Sequence, residues 1–186
     1  MINDRINLTV ENHIAHVQFA RPEKMNAIDA NMFAAIPMVG ESLKSDPSVR
    51  VVVVSGDGGN FCAGLDMSNF TELLSNGDTE ADDGKQTPEV PLSNLAERTH
   101  GIANLYQYAG WMWRELPMPV IAAIDGVALG GGLQIALGAD MRFAHASSRF
   151  SILELKWGLI PDMSSTQIMR HLICLLYTSP SPRDRG

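Results

Sequence analysis

The sequence predicts an α/β domain built on largely buried, parallel strands. Three observations carry this. "VRVVVVSG" and "PVIAAIDG" are short, continuous apolar runs ended by glycine, the pattern of strands covered on both faces. Residues 30 to 44 repeat their apolar side chains at helical spacing. Strand, turn and helix then recur along the chain without any repeat at the level of sequence.

The elements follow in order. Leu8–Val10 and His13–Ala20 alternate apolar and polar residues around "ENH", which predicts an N-terminal hairpin. "RPEKMNAID" is a loop closed by Asp29, the N-cap of a helix over Ala30–Lys44. That helix turns Met32, Phe33, Ile36, Val39 and Leu43 inward, with Pro37 and Gly40 disturbing its regularity. Beyond the strand in "VRVVVVSG", residues Ser75–Pro91 are acidic, rich in Pro and Gly and aperiodic, and are expected to form a mobile surface loop. Asn94–Glu115 is predicted helical, with Leu95, Ile102, Leu105, Ala109 and Met112 on one face and Trp111 and Trp113 split between surface and core. After the strand in "PVIAAIDG" come a helix fronted by Gly130, Gly131 and Gly132, two short strands in "MRFAHASSRFSI", and a last helix from Ser164 or Ser165 toward Leu172. From Cys174 onward "CLLYTSPSPRDRG" abandons helical periodicity for Pro, Ser and Arg. The expected division is therefore an incomplete domain over residues 1–173 and a non-native or disordered tail over 174–186.

Composition narrows the function. The chain has 186 residues and a formal charge of −7, from 14 basic and 21 acidic residues, with no cationic cluster that would grip nucleic acid. Its two cysteines form neither a disulfide framework nor a zinc-spaced set, so no metal is expected. His13 and His16 fall on opposite faces of a strand, and Cys62 reads as a small buried hydrophobe. "MINDRINLTV" is too polar for a signal peptide, and the longest apolar stretch, Pro119–Ala139, is broken by Asp125 and by glycines. A cytoplasmic protein with no membrane partner is expected.

The chemistry is sought in two small-residue turns. Each glycine of "GVALGGGLQIALGAD" weakens a helix by about 1 kcal/mol relative to alanine. A helix start stripped of side chains exposes unpaired N–H groups to a ligand; the alternative is tight packing of that helix on a neighbouring strand. "FCAGLD" places Ala63 and Gly64 just beyond a buried strand, so the amides of Leu65 and Gly131 can face one space and hold the oxygen of an enolate-like thioester.

With these residues in view the chain resembles the crotonase, or enoyl-CoA hydratase/isomerase, family. "RPEKMNAID", "FCAGLDM", "PVIAAIDGVALGGGLQIALGADMRFA" and "FSILELKWGLIPDMSSTQ" occur in that family's order, and the likeness runs from the hairpin to about Ile173. The resemblance implies a ββα spiral whose C-terminal helical part is missing, acyl-CoA thioester substrates, an oxyanion hole from the Leu65 and Gly131 amides, and a homotrimer or hexamer. No separate cofactor is implied, since coenzyme A is part of the substrate. The resemblance also assigns Arg21, Lys24 and Ala27, with Ala63, Asp66 and Met67, to the coenzyme A moiety. Arg21 and Lys24 read equally as solvated loop charges, and Asp66 as the residue that fixes its turn.

Which reaction is expected turns on three positions. Family members that hydrate a double bond carry two glutamates where this chain has Gln134 and Glu154. Glutamine orients water but does not exchange a proton at neutral pH. Dienoyl-CoA isomerases carry an acid at the position of Asp162, where hydratases tend to have glycine, but also an aspartate in place of Gln134. The expectation is a double-bond shift in an enoyl- or dienoyl-CoA, with Glu154 and Asp162 as proton carriers. Hydration using Gln134 and Glu154 is the alternative, and an inactive or merely CoA-binding fragment is a third. For Glu154 an ion pair with Lys156 or Arg142, and for Asp162 a helix cap, are the readings without catalysis.

Overall fold

The computed structural model describes residues 1–66 and 96–173. Strands β1 (Ile6–Glu11) and β2 (Ile14–Phe19) form the expected antiparallel hairpin. Asn12 and His13 make its turn at φ 50° and 68°, so His13 leaves the strand the sequence assigned to it, and both it and His16 are exposed. From β2 onward the pairing is parallel: β2 with β3 (Val51–Gly56), β3 with β4 (Val120–Ile124), and β4 with β6 (Met141–Ala144). The sheet order is β1-β2-β3-β4-β6, and β5 (Val127–Leu129) pairs separately with β7 (Arg149–Ser151). Val52, Val54, Val120, Ala122 and Ile124 are buried and share one face, while Val51, Val53, Ile121 and Ala123 on the other are only half-buried, so the cover expected on both faces is complete on one alone.

Helix α1 spans Ala30–Lys44, with the Asp29 carboxylate accepting the Met32 amide at 2.9 Å and all five predicted residues buried. The region predicted as one long helix departs from expectation. Helix α2 covers only Leu105–Trp111, continued by a 3-10 turn over Met112–Glu115. Asn104 and Gln107 close a reciprocal capping box at its start. Ahead of it His100 and Ala103 exchange backbone hydrogen bonds across Gly101, a closed turn that no helix can run through. Ile102 is consequently 80% exposed, not inward. Trp113 is buried and Trp111 half-buried, as their spacing predicts. Leu95, Met67, the segment Ser75–Pro91 and the tail from Cys174 lie outside the described residues.

Helix α3 (Gly131–Gly138) follows β5 directly, and α4 (Ser165–Leu172) closes the described chain. Helices α1, α2 and α3 pack side by side over one apolar core that includes Phe19, Phe61, Met112, Trp113 and Ile135. Phe143, Phe150, Leu155, Trp157 and Ile160 are exposed. No helix among the described residues is long and apolar enough to cross a membrane.

Candidate active site

The site forms where two turns meet. The chain after β3 runs Phe61–Asp66 alongside two other segments. On one side it bridges to Met25–Ile28: the Ala63 amide donates to the Met25 carbonyl, Ile28 to Gly64, and Asp66 to Ile28, at 2.8–2.9 Å. On the other it bridges to β5 through Cys62 and Ala128, with the Cys62 amide donating to Val127 and the Leu129 amide to Cys62. The turn is thus clamped between the first loop and the strand that feeds α3.

Gly130 precedes α3 at φ 49°, a left-handed geometry in which a side chain is strained. Gly132 has a different reason: a Cβ there would overlap the Cys62 carbonyl oxygen and lie 2.7 Å from the Cys62 Cβ. Close packing therefore applies along the whole triplet, with Glu154 Oε1 3.3 Å from a Cβ built on Gly130 and the Met163 sulfur 2.9 Å from one built on Gly131, and Gly130 adds a left-handed backbone. At Gly64 a Cβ would stand 3.4 Å from the Gly131 nitrogen, so the two turns touch. Among the described residues no carbonyl or side chain accepts a hydrogen bond from the Leu65 or the Gly131 amide.

Glu154 lies in a 3-10 turn over Leu153–Trp157 and reaches back to this point. Its Oε1 is 3.3 Å from where a Gly130 Cβ would sit, and it accepts the Gln134 Nε2 at 2.7 Å. Its Oε2 is buried with no hydrogen-bond partner among the described residues. Neither Lys156 nor Arg142 pairs with it: the Arg142 guanidinium caps carbonyls at the end of α3, closest at Ala139, 2.6 Å. Gln134, 3% exposed, is held at its other end by the Ser165 amide, 3.4 Å from Oε1. Since an N–H can only donate, it fixes which end of the Gln134 amide faces Glu154.

Asp162 is exposed as a residue, yet nearby protein partly buries its carboxyl and raises its pKa above the ordinary carboxylate value. Ser164, not Asp162, holds the N-cap position of α4. Met163 is buried, its sulfur 2.9 Å from a Cβ built on Gly131, with the Ile28 Cδ1 at 3.0 Å from the same point. These two, with Ser165, fall within the quoted motifs but carry no chemistry that singles them out there; Met163 and Ile28 reach the site by packing and Ser165 by its hydrogen bond to Gln134.

The loop charges are arranged unequally. Lys24 is exposed at the end of the 3-10 turn Pro22–Lys24, whereas Arg21 is 11% exposed and engaged with Asp66, Asp29 and the Ala27 carbonyl. Asp29 is paired further with Arg5 at 2.7 Å. Burial opposes ionisation of Asp29, but hydrogen bonds from Arg5 and Met32 and the charges of Arg5 and Arg21 outweigh it and hold its pKa below the usual range. Cys62 is buried, and desolvation pushes its thiol up to about 12 despite a hydrogen bond from Gly64. No group of three or more potential metal ligands occurs among the described residues.

The sequence pattern described as enoyl-CoA hydratase/isomerase matches residues 14–175. The chain belongs to the enoyl-CoA hydratase/isomerase family. Among curated members, (E)-benzylidenesuccinyl-CoA hydratase of Thauera aromatica is 33% identical over 90% of this chain and 57% of its own length. The mitochondrial Delta(3,5)-Delta(2,4)-dienoyl-CoA isomerase of Rattus norvegicus is 29% identical over 89% of this chain and 47% of its own. Of solved family structures, a putative enoyl-CoA hydratase from Streptomyces coelicolor A3(2) superposes with a TM-score of 0.73 at 28% identity, covering 90% of this chain and 55% of that one. Another, from Thermobifida fusca YX in complex with acetoacetyl-CoA, gives 0.71 at 27% identity, covering 92% and 62%. The α/β fold is therefore crotonase-like, and the chain spans about half to three fifths of the length of the family members it matches.

Proposed function

We propose that this chain serves a proton transfer on an acyl-CoA thioester that shifts a double bond in an enoyl- or dienoyl-CoA. The observation that carries it is the Glu154 carboxylate lying against Gly130, beside two backbone amides with no acceptor of their own. In the proposed step Glu154 Oε2 takes a proton from the carbon chain conjugated to the thioester. The C–H electron pair moves into the chain and charge gathers on the thioester oxygen, which the Leu65 and Gly131 amides receive. Returning the proton to another carbon restores the thioester with its double bond moved and no atom gained or lost. Asp162 is the second carrier in this reading; partial burial of its carboxyl raises its pKa above the ordinary carboxylate value.

Gln134 supports isomerisation over hydration, because its amide cannot carry a proton and is already spent on Glu154 and Ser165. Hydration is the second reading: Gln134 and Glu154 are in contact where a water could be held between them and a substrate, and a 33% identical relative is named a hydratase. Coenzyme A contacts from Lys24, Ala27, Ala63 and Met67, and assembly of the complete protein as a homotrimer or hexamer, belong to the same proposal.

The test is incubation with 3-enoyl- and 2-enoyl-CoA in D2O, following conjugated-thioester absorbance and deuterium in the recovered acyl chain. Isomerisation incorporates deuterium without adding the elements of water, and Glu154→Gln lowers the rate by about 10²- to 10⁴-fold, as loss of a general base does. Rapid formation of a 3-hydroxy product would transfer the assignment to hydration. No conversion alongside measurable coenzyme A binding would leave only a binding fragment.

A further inference from the structure

Arg21 sits where a cation for the coenzyme A phosphates was expected, yet the structure turns it inward. Its Nη2 lies 2.7 Å from Asp66 Oδ2, its Nη1 donates to the Ala27 carbonyl at 3.1 Å and stands 3.8 Å from Asp29 Oδ2, and its Nε faces Glu23 at 3.8 Å. Asp29 is shared with Arg5, so two guanidiniums and two buried carboxylates form one chain of charge. A cation placed between two carboxylates that are each 6% exposed has little field left for an outside phosphate.

The position of that chain gives it a different task. The peptide plane joining Gly64 to Leu65 is oriented by the Ile28 amide, which donates to the Gly64 carbonyl at 2.8 Å. In a planar trans peptide the N–H points opposite to the C=O. Leu65 therefore aims its N–H away from the 26–29 segment, and Gly64, the residue before it, is the one that stands against the Gly131 nitrogen. The next amide, of Asp66, returns to the Ile28 carbonyl at 2.9 Å, and the Asp66 side chain is pinned by Arg21. Asn26 secures the other end of the loop: it accepts the Arg21 amide and donates to the Asp57 and Asn60 carbonyls.

We infer that Arg21 is a positioning residue: through Asp66 and Ala27 it holds the Gly64–Leu65 peptide at the angle that turns the Leu65 N–H toward the thioester oxygen. This rests on the oxyanion reading above. It separates the two halves of the ligand, since Arg21 acts on the reacting carbonyl and not on the nucleotide end.

The experiment uses the full 186-residue chain and its Arg21→Met, Arg21→Lys and Asp66→Asn variants, each checked for a cooperative thermal transition. Coenzyme A alone, titrated by calorimetry, reads the phosphate contacts. A conjugated aromatic enoyl-CoA reads the carbonyl, because its absorption moves to longer wavelength when the thioester oxygen is hydrogen-bonded. Arg21→Met and Asp66→Asn are expected to leave coenzyme A affinity unchanged, to lose most of the wavelength shift, and to lower kcat by about 10²-fold, the scale of a lost oxyanion donor, with KM little altered. Arg21→Lys restores part of the shift. If Arg21→Met does not fold, Asp66→Asn removes the same ion pair with almost no change of shape and is read in its place. Retention of the full shift with coenzyme A affinity down about tenfold would overturn the inference and return Arg21 to the phosphates. A full shift and unchanged kcat in both variants would overturn it as well. Absence of any shift in the unsubstituted chain would bring down the oxyanion reading, and this inference with it.

Discussion

Replacing Gly132 by alanine sets two physical effects against each other. Helix propensity favours the change by about 1 kcal/mol, because alanine is a better helix former than glycine. Packing opposes it: the new Cβ would overlap the Cys62 carbonyl oxygen and approach the Cys62 Cβ to 2.7 Å and its carbonyl carbon to 2.9 Å. None of these is the end of a flexible side chain, and the Cys62 backbone is bound on both sides, to Val127 and to Leu129. Overpacking of this kind costs about 1–3 kcal/mol, so the larger part of that range leaves Gly132→Ala less stable by about 1–2 kcal/mol. For a chain of this length that is a fall in Tm of about 2–8 °C, read by circular dichroism melting. Gly131→Ala is the control. There the Cβ meets the Met163 sulfur at 2.9 Å and the Ile28 Cδ1 at 3.0 Å, two side-chain ends that can move. Its Tm should hold or rise while its activity falls, because the methyl group crowds the donor amide. A Gly132→Ala variant that melts higher than the parent would refute the packing account.

Asp29 provides an acid-sensitive lock. Its folded pKa is depressed, so its stabilisation is present above the unfolded carboxylate value of about 4 and lost as pH falls through the folded one. Asp29→Asn should melt lower at pH 7 by the equivalent of about 3 kcal/mol, since it leaves Arg5 and Arg21 short of a partner, and the gap should close toward pH 2. Asp162 behaves oppositely: its pKa is raised, so the folded chain penalises its charge, and Asp162→Asn should gain stability over the parent as pH rises above the unfolded carboxylate value of about 4, with no difference well below it. With its thiol held up to about 12 by burial, Cys62 in a Cys174→Ser background should give no reaction with a disulfide reagent at pH 8 until denaturant is added; prompt reaction would mean the turn opens.

Helix α1 and the strands were legible because each is specified locally. Asp29 announces its cap, and the uninterrupted apolar runs mark their strands, although one face of each is buried and the other only half-buried. The stretch before Leu105 misled because its apolar spacing is helical while Gly101 and the Asn104 cap, which end any such helix, act through backbone geometry. Within the site, Glu154, Gln134 and the glycines come together as their motifs suggest. Ser165 and Met163 could not be read, since what recruits them is contact with a residue on another element. Asp29 was read as a cap only; its partner Arg5 is 24 positions away, a pairing no local pattern encodes.

The turn that presents the Leu65 amide belongs to neither sheet. Single bridges hold it, Ile28 to Leu65 and Cys62 to Ala128, whereas the main sheet is closed by longer ladders. A turn held in this way can open while the sheet keeps its order, because local unfolding draws on only the few bonds it breaks. A preparation with native far-ultraviolet dichroism could therefore be catalytically silent, and protection of the Leu129 amide against deuterium, donated as it is to Cys62, would report whether the crevice is assembled.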